Sequence, residues 1–127
     1  MELTVYENES EFDITAAKIA RILNALGATR TLAECEAVAS ALNNLCEQYD
    51  RDWEEIIPMF APVGFAYADS DSPEIKMATR VAKASLKKLL PDRVNGAVRF
   101  HRQNENPSWA YNIGYIAEVG DFLFYKG

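Results

Sequence analysis

A chain of 127 residues is the usual length of one domain, and it can bury a core without disulfide or metal staples. With 49% apolar and 25% charged residues it falls outside the disordered class, and no apolar run approaches the roughly 20 residues that span a bilayer. A net charge of −6 argues against a nucleic-acid binder, so no direct nucleic-acid contact and no membrane contact are expected.

The N-terminal stretch Leu3-Thr4-Val5-Tyr6 has the composition of a short edge strand, and Glu7 to Glu11 reads as an acidic linker. The start, Met1 to Glu7, has neither the basic nor the apolar region of a secretory signal, so a cytoplasmic location is expected unless another system exports or releases the protein. Asp13 or Thr15 can cap a first helix carrying Ile19, Ile22, Leu23 and Leu26, with Gly27 as its stop. A second helix starts at Thr31, where Thr31-x-x-Glu34 is a capping box. Its apolar positions Cys35, Val38, Ala41, Leu42 and Leu45 recur at helical spacing. Asp52 caps a short helix from Trp53 to Ile57 that stops before Pro58, and Trp53 packs on the core. Residues 61–69 read as a loop. Ser72-Pro73-Glu74 opens a helix that runs to about Leu90 and is broken by Pro91-Asp92. Ile75, Ala78, Val81, Ala82, Ser85 and Leu89 face inward from it, opposite Lys76, Arg80, Lys83 and Lys87. Ala97 to His101 and Phe122 to Tyr125 are the strand candidates. The expected fold is a single α+β domain over residues 1–127, helix-rich first, with a small antiparallel β element at the C-terminal end.

Cys35 and Cys46 lie eleven residues apart on one helix, about 16 Å along it, too far for a disulfide. With a single His and no Cys-x-x-Cys pair, neither a metal nor another cofactor is expected. Charge is polarised along the chain: residues 1–74 hold 15 acids and 4 bases, residues 75–127 hold 4 acids and 9 bases.

The last third joins the only His to a Pro-Trp turn and an aromatic strand. It reads Gly96-Ala97-Val98-Arg99-Phe100-His101, then Asn106-Pro107-Ser108-Trp109, then Gly120 and Phe124-Tyr125. Preceded by the Ala-rich helix Met77 to Ala84 and by Leu90-Pro91-Asp92, this pattern resembles the SleB/CwlJ-type cell-wall hydrolases, a spore-cortex-lytic family also found in phages. The likeness extends over about residues 19–126. Further back, Val38-Ala39-Ser40-Ala41-Leu42-Asn43-Asn44 is similar to the family's helix of small residues followed by Leu-Asn-Arg.

The resemblance implies a lytic-transglycosylase-like domain acting on the glycan strands of peptidoglycan through one glutamate, held in a pattern such as Tyr-Ala-Glu-Ala-Arg-Gly-Glu. The matching segment here is Leu23-Asn24-Ala25-Leu26-Gly27-Ala28, so Leu26, beside Ala25, occupies the acid's position. Glycoside cleavage needs a proton delivered to the leaving oxygen, and losing the donor costs roughly 10²–10⁴-fold in rate. A shifted match brings Glu7 into that role, and Glu34 or Glu36 are the other replacement acids, although Glu34 already has a capping task. His101, Asn106, Trp109, Tyr111 and Tyr125 are the candidate cleft residues, with Tyr115 near them. The alternative for His101 is a hydrogen-bonded structural role, and for Trp109 a buried ring that locks its turn.

Three functions follow. The first is an active peptidoglycan glycosidase with a relocated acid. The second is a pseudo-hydrolase that binds a glycan or a protein. The third is a small acidic, phage-type inhibitor that occupies the basic groove of a host nucleic-acid-binding machine, carried by acid runs such as Glu7 to Glu11 and Asp50 to Glu55.

Overall fold

The computed structural model describes residues 9–60, 72–111 and 114–127, with side chains in the first helix from residue 11 and no side chain for Tyr111. The expected strand at Leu3 to Tyr6, the loop at 61–69 and Glu7 lie outside the described residues. Among the described residues, four α-helices precede a small sheet: α1 Glu9–Ala25, α2 Leu32–Gln48, α3 Trp53–Phe60, α4 Pro73–Leu86, then β1 Arg99–Arg102, β2 Tyr115–Val119 and β3 Phe122–Tyr125. The strands run in the order β1-β3-β2, antiparallel throughout, so the fold class is α+β with the helices first.

The first helix begins earlier than its sequence suggests. Glu11 belongs to α1, and Asp13 and Thr15 are interior positions, not caps. Thr15 instead donates to the Glu11 carbonyl at 3.1 Å and to Glu54 of α3 at 3.3 Å. Acids at positions 9, 11 and 13 suit the positive end of a helix dipole, which favours extending the helix into this acidic stretch. The third helix passes through Pro58 to Phe60, forgoing one backbone bond, after a reciprocal box in which Asp52 and Glu55 each accept the other's N–H at 3.2 Å.

Three helices end in the same way. The N–H of Ala28, Arg51 and Leu89 each reach back five residues, to Leu23, Cys46 and Ala84, at 2.8–2.9 Å. The residue before each is left-handed: Gly27 (φ 81°), Asp50 (φ 51°) and Lys88 (φ 59°). The left-handed Lys88 ends α4 at Leu86 and turns Leu89 outward to 71% exposure, although the helical spacing placed it inside and carried the helix to Leu90.

Helix α2 is the centre of the molecule. It contacts α1, α3, α4, β1 and β2, and its residues 34–42 are buried except Glu36. A helix buried on all sides needs small residues where neighbours approach, and Ala37, Ala39, Ser40 and Ala41 provide them. Ser40 donates to the Glu36 carbonyl (2.8 Å) and accepts the Arg93 N–H (3.1 Å), while the Asn44 amide reaches the Ala97 carbonyl (3.0 Å). These bonds fix the 91–97 loop that delivers the chain to β1. Phe122 and Phe124 of β3 then close the core, joined by Phe100 of β1, which stacks on Phe60. The turn between β2 and β3 is Gly120-Asp121, with Gly120 at φ 56°, as a two-residue hairpin requires. Among the described residues, no helix is long and apolar enough to cross a membrane, and no group of His, Cys, Asp and Glu is arranged to hold a metal ion.

Two predictions concern this framework. Lys88→Gly removes a left-handed side chain and raises stability by about 0.5–1 kcal/mol, a few degrees in thermal melts. Burial pushes the thiols of Cys35 to about 12 and Cys46 to about 11. Both therefore resist a thiol-specific reagent at pH 8 in the native protein and react at the normal rate in denaturant.

Candidate functional site

A cavity of about 460 Å³ runs beside β1, the edge strand of the sheet. One wall is Leu26, Leu45, Met59 and Phe60; the other is Val98, Arg99, Phe100, His101, Arg102, Glu105, Trp109 and Phe122. Three elements create it. The left-handed Gly27 turns the chain so that Leu26 faces β1 across the gap, α3 ends at Phe60, and the turn Ser108–Tyr111 carries Trp109 over the strand. The volume falls within the roughly 300–1,000 Å³ typical of small-molecule sites.

Strand alternation divides the aromatic residues into two sets. Phe100, Phe122 and Phe124 share the core face. Arg99, His101, Tyr115 and Tyr125 share the opposite face. There the His101 ring stacks on Tyr125 with centroids 5.3 Å apart, and Trp109 meets both rings edge-on at 5.7 and 5.3 Å. The Arg99 guanidinium lies 5.5 Å over the indole, within cation–π range.

Both nitrogens of His101 are engaged. Nδ1 lies 2.7 Å from the Arg102 carbonyl and Nε2 lies 2.8 Å from the Tyr125 hydroxyl. A carbonyl can only accept, so Nδ1 carries the proton, and in the neutral ring Nε2 accepts from Tyr125. Glu105 is the carboxylate on the cavity wall, and the sequence reading passed over it although it directly precedes the Asn106-Pro107 turn. Its Oε1 accepts the Arg102 N–H at 2.8 Å, and its own N–H donates to the Arg102 carbonyl at 2.9 Å. Together His101 and Glu105 satisfy the backbone groups of Arg102 on the open edge of β1, which blunts the edge against pairing with another strand. Glu105 is exposed, unlike the dry setting in which a glycosidase acid holds its proton.

The structure thus brings Leu26, His101 and Trp109 to one cavity, with Tyr125 behind His101. Asn106 is exposed in the turn after Glu105, and Tyr111 closes the short helical turn that carries Trp109. Glu34 and Glu36 are elsewhere. Glu36 pairs with Arg93 at 3.5 Å. Only half of the capping box at Thr31 forms: Thr31 accepts the Glu34 N–H at 3.1 Å, but the Glu34 carboxylate turns inward. Fully buried, it accepts the Asp121 N–H at 2.7 Å and two bonds from Arg30 at 3.0 and 3.3 Å. Its cover is thin, since Arg30 is 60% exposed. Burial pushes the carboxyl up, but the Arg30 hydrogen bonds, the Asp121 N–H and the Arg30 charge outweigh it and hold the group below its usual 4.5.

A wider groove of about 1490 Å³ lies on another face. It mixes Asp13, Glu47, Asp50 and Glu54 with Arg51, Lys83, Lys87 and Lys88, and Lys83 pairs with Asp13 at 3.7 Å. With Glu11, Asp52 and Asp92 also on its lining, acids outnumber bases there seven to four.

Compared with protein-family models, curated proteins and solved structures, the chain matches none.

The Glu34 contacts set a pH dependence. A carboxylate held below its unfolded value contributes stability above the unfolded value, and that stability is lost as pH falls through the folded one. Glu34→Gln therefore destabilises the fold by about 1–3 kcal/mol at pH 7 in denaturant titrations. The gap between variant and wild type closes as pH falls below about 4.5.

Proposed function

We propose that this protein is a non-hydrolytic relative of the cell-wall hydrolases that binds peptidoglycan glycan strands in the cavity beside β1. The observation that carries the proposal is the condition of the polar groups around that cavity. Leu26 stands where the resemblance requires an acid, Glu105 caps a strand edge, and both nitrogens of His101 are bonded within the sheet. No group on the described walls is set to deliver a proton to a glycosidic oxygen, while an apolar and aromatic wall remains for the C–H faces of sugar rings. Two segments that carry the resemblance also meet: Ser40 and Asn44 of the small-residue helix bond to the loop containing Pro91, Asp92 and Ala97. That contact brings the two segments that carry the resemblance side by side.

The test uses purified sacculi. The protein is expected to sediment with them and to release no soluble muropeptides by mass spectrometry. Trp109→Ala, with its fold checked by circular dichroism, is expected to weaken sedimentation about tenfold. Muropeptide release by the wild type, abolished in Glu105→Gln or Glu7→Gln, would restore the hydrolase reading. Absence of both sedimentation and release would leave a protein partner as the ligand.

A further inference from the structure

We infer that the ligand of this cavity is a carboxylated saccharide and that Arg99 is the residue that selects it; the inference rests on the glycan-binding reading above. Four side chains with ionisable groups line the walls, and three of them have partners. His101 bonds to Arg102 and Tyr125, Arg102 bonds through Nε to Asp121 at 2.9 Å, and Glu105 accepts from the Arg102 backbone. Arg99 is different. It is exposed, it pairs with no carboxylate among the described residues, and its guanidinium lies over the Trp109 ring.

The register explains its placement. Arg99 pairs with Tyr125 across the sheet, so its side chain rises on the same face as His101 and beside Trp109. The indole lies 5.5 Å beneath the guanidinium carbon, a contact that uses the cation's face and none of its N–H donors. A guanidinium with free donors at the mouth of an apolar cavity matches a ligand with an apolar body and one carboxylate, which it can bind through two parallel hydrogen bonds. A sugar bearing a lactyl ether has that form when its carboxylate is free, whereas a neutral hexosamine lacks the anion. A glycan whose stem peptides have been removed by an amide-cleaving step exposes such a carboxylate on every second sugar.

Isothermal titration with a peptide-free tetrasaccharide of alternating N-acetylglucosamine and N-acetylmuramic acid tests the inference, with the methyl ester of the same tetrasaccharide beside it. The free acid is expected to bind about tenfold tighter than the ester, with the difference shrinking as salt rises. Arg99→Met is expected to reduce the acid to the level of the ester, and Arg99→Lys to retain part of the preference. Equal binding of acid and ester by the wild type, or an unchanged preference in Arg99→Met, overturns the assignment of Arg99 while the glycan-binding reading stands. Binding of neither sugar by the wild type overturns that reading and the inference together.

Discussion

The Glu34 carboxylate is the interaction on which the arrangement depends. It sits in the first turn of the central helix and receives the Asp121 N–H from the β2–β3 turn, so one buried group ties the helical half to the sheet. A buried carboxylate without partners is costly, and here Arg30 and the backbone supply them. The fit is close on the other side: a Cβ on Gly120 would run into the Glu34 side chain, so glycine at that position meets both the left-handed turn and the carboxylate beneath it. Asp121 also accepts from Arg102, whose guanidinium passes next to Gly27 at the end of α1. A short polar chain thus links α2, β1 and the hairpin, and its Arg102 packs closely against Gly27 just past the end of α1.

Position governs chemistry in this molecule. The described residues that the sequence offers as acids or cleft groups are the ones most fully used by the architecture: Glu34 clamps the hairpin, Glu36 pairs with a loop arginine, and His101, with Glu105 beside it, seals an edge strand. The rest of the cavity lining is mostly apolar and aromatic, with Arg99 pairing with no carboxylate among the described residues. General acid catalysis needs a proton donor aimed at the reacting oxygen, and the contacts of His101 and Glu105 turn their side chains toward the backbone and the Tyr125 hydroxyl instead.

Much of the helical half could be read from the residues. Asp52 and Ser72 cap as their sequence patterns indicate, Thr31 caps through its hydroxyl alone, and Gly27 stops α1. The apolar stripes of α1 and α4 point inward as their spacing requires, apart from Leu89. The misplaced helix end has a clear cause: a lysine in the left-handed region carries no sequence mark, unlike the glycine that does the same work at position 27. Strand β2 was missed although Gly120-Asp121 between two apolar runs is a hairpin signal, because Tyr115 to Val119 contains a bulge and alternates poorly. The cavity itself was half legible. His101 and Trp109 stand out by chemical type and Leu26 by its place in the family resemblance, but Leu45, Met59 and Arg99 reach the cavity through tertiary packing that no local pattern encodes. The role of Glu34 was hidden for the same reason, since its partner lies 87 residues away.

That separation has a consequence for how the molecule comes together. Joining residues so far apart in the chain carries a large loop-closure entropy, and contacts of this kind slow folding. As the chain emerges from the ribosome, α2 is complete long before the backbone amide that its carboxylate will bind, and before the two phenylalanines of β3 that cover the core. Until then the carboxylate lacks its Asp121 bond and lies next to exposed apolar surface. Arg30 is four residues upstream of Glu34, so that pairing needs no long-range closure and is open to the helix before the hairpin exists.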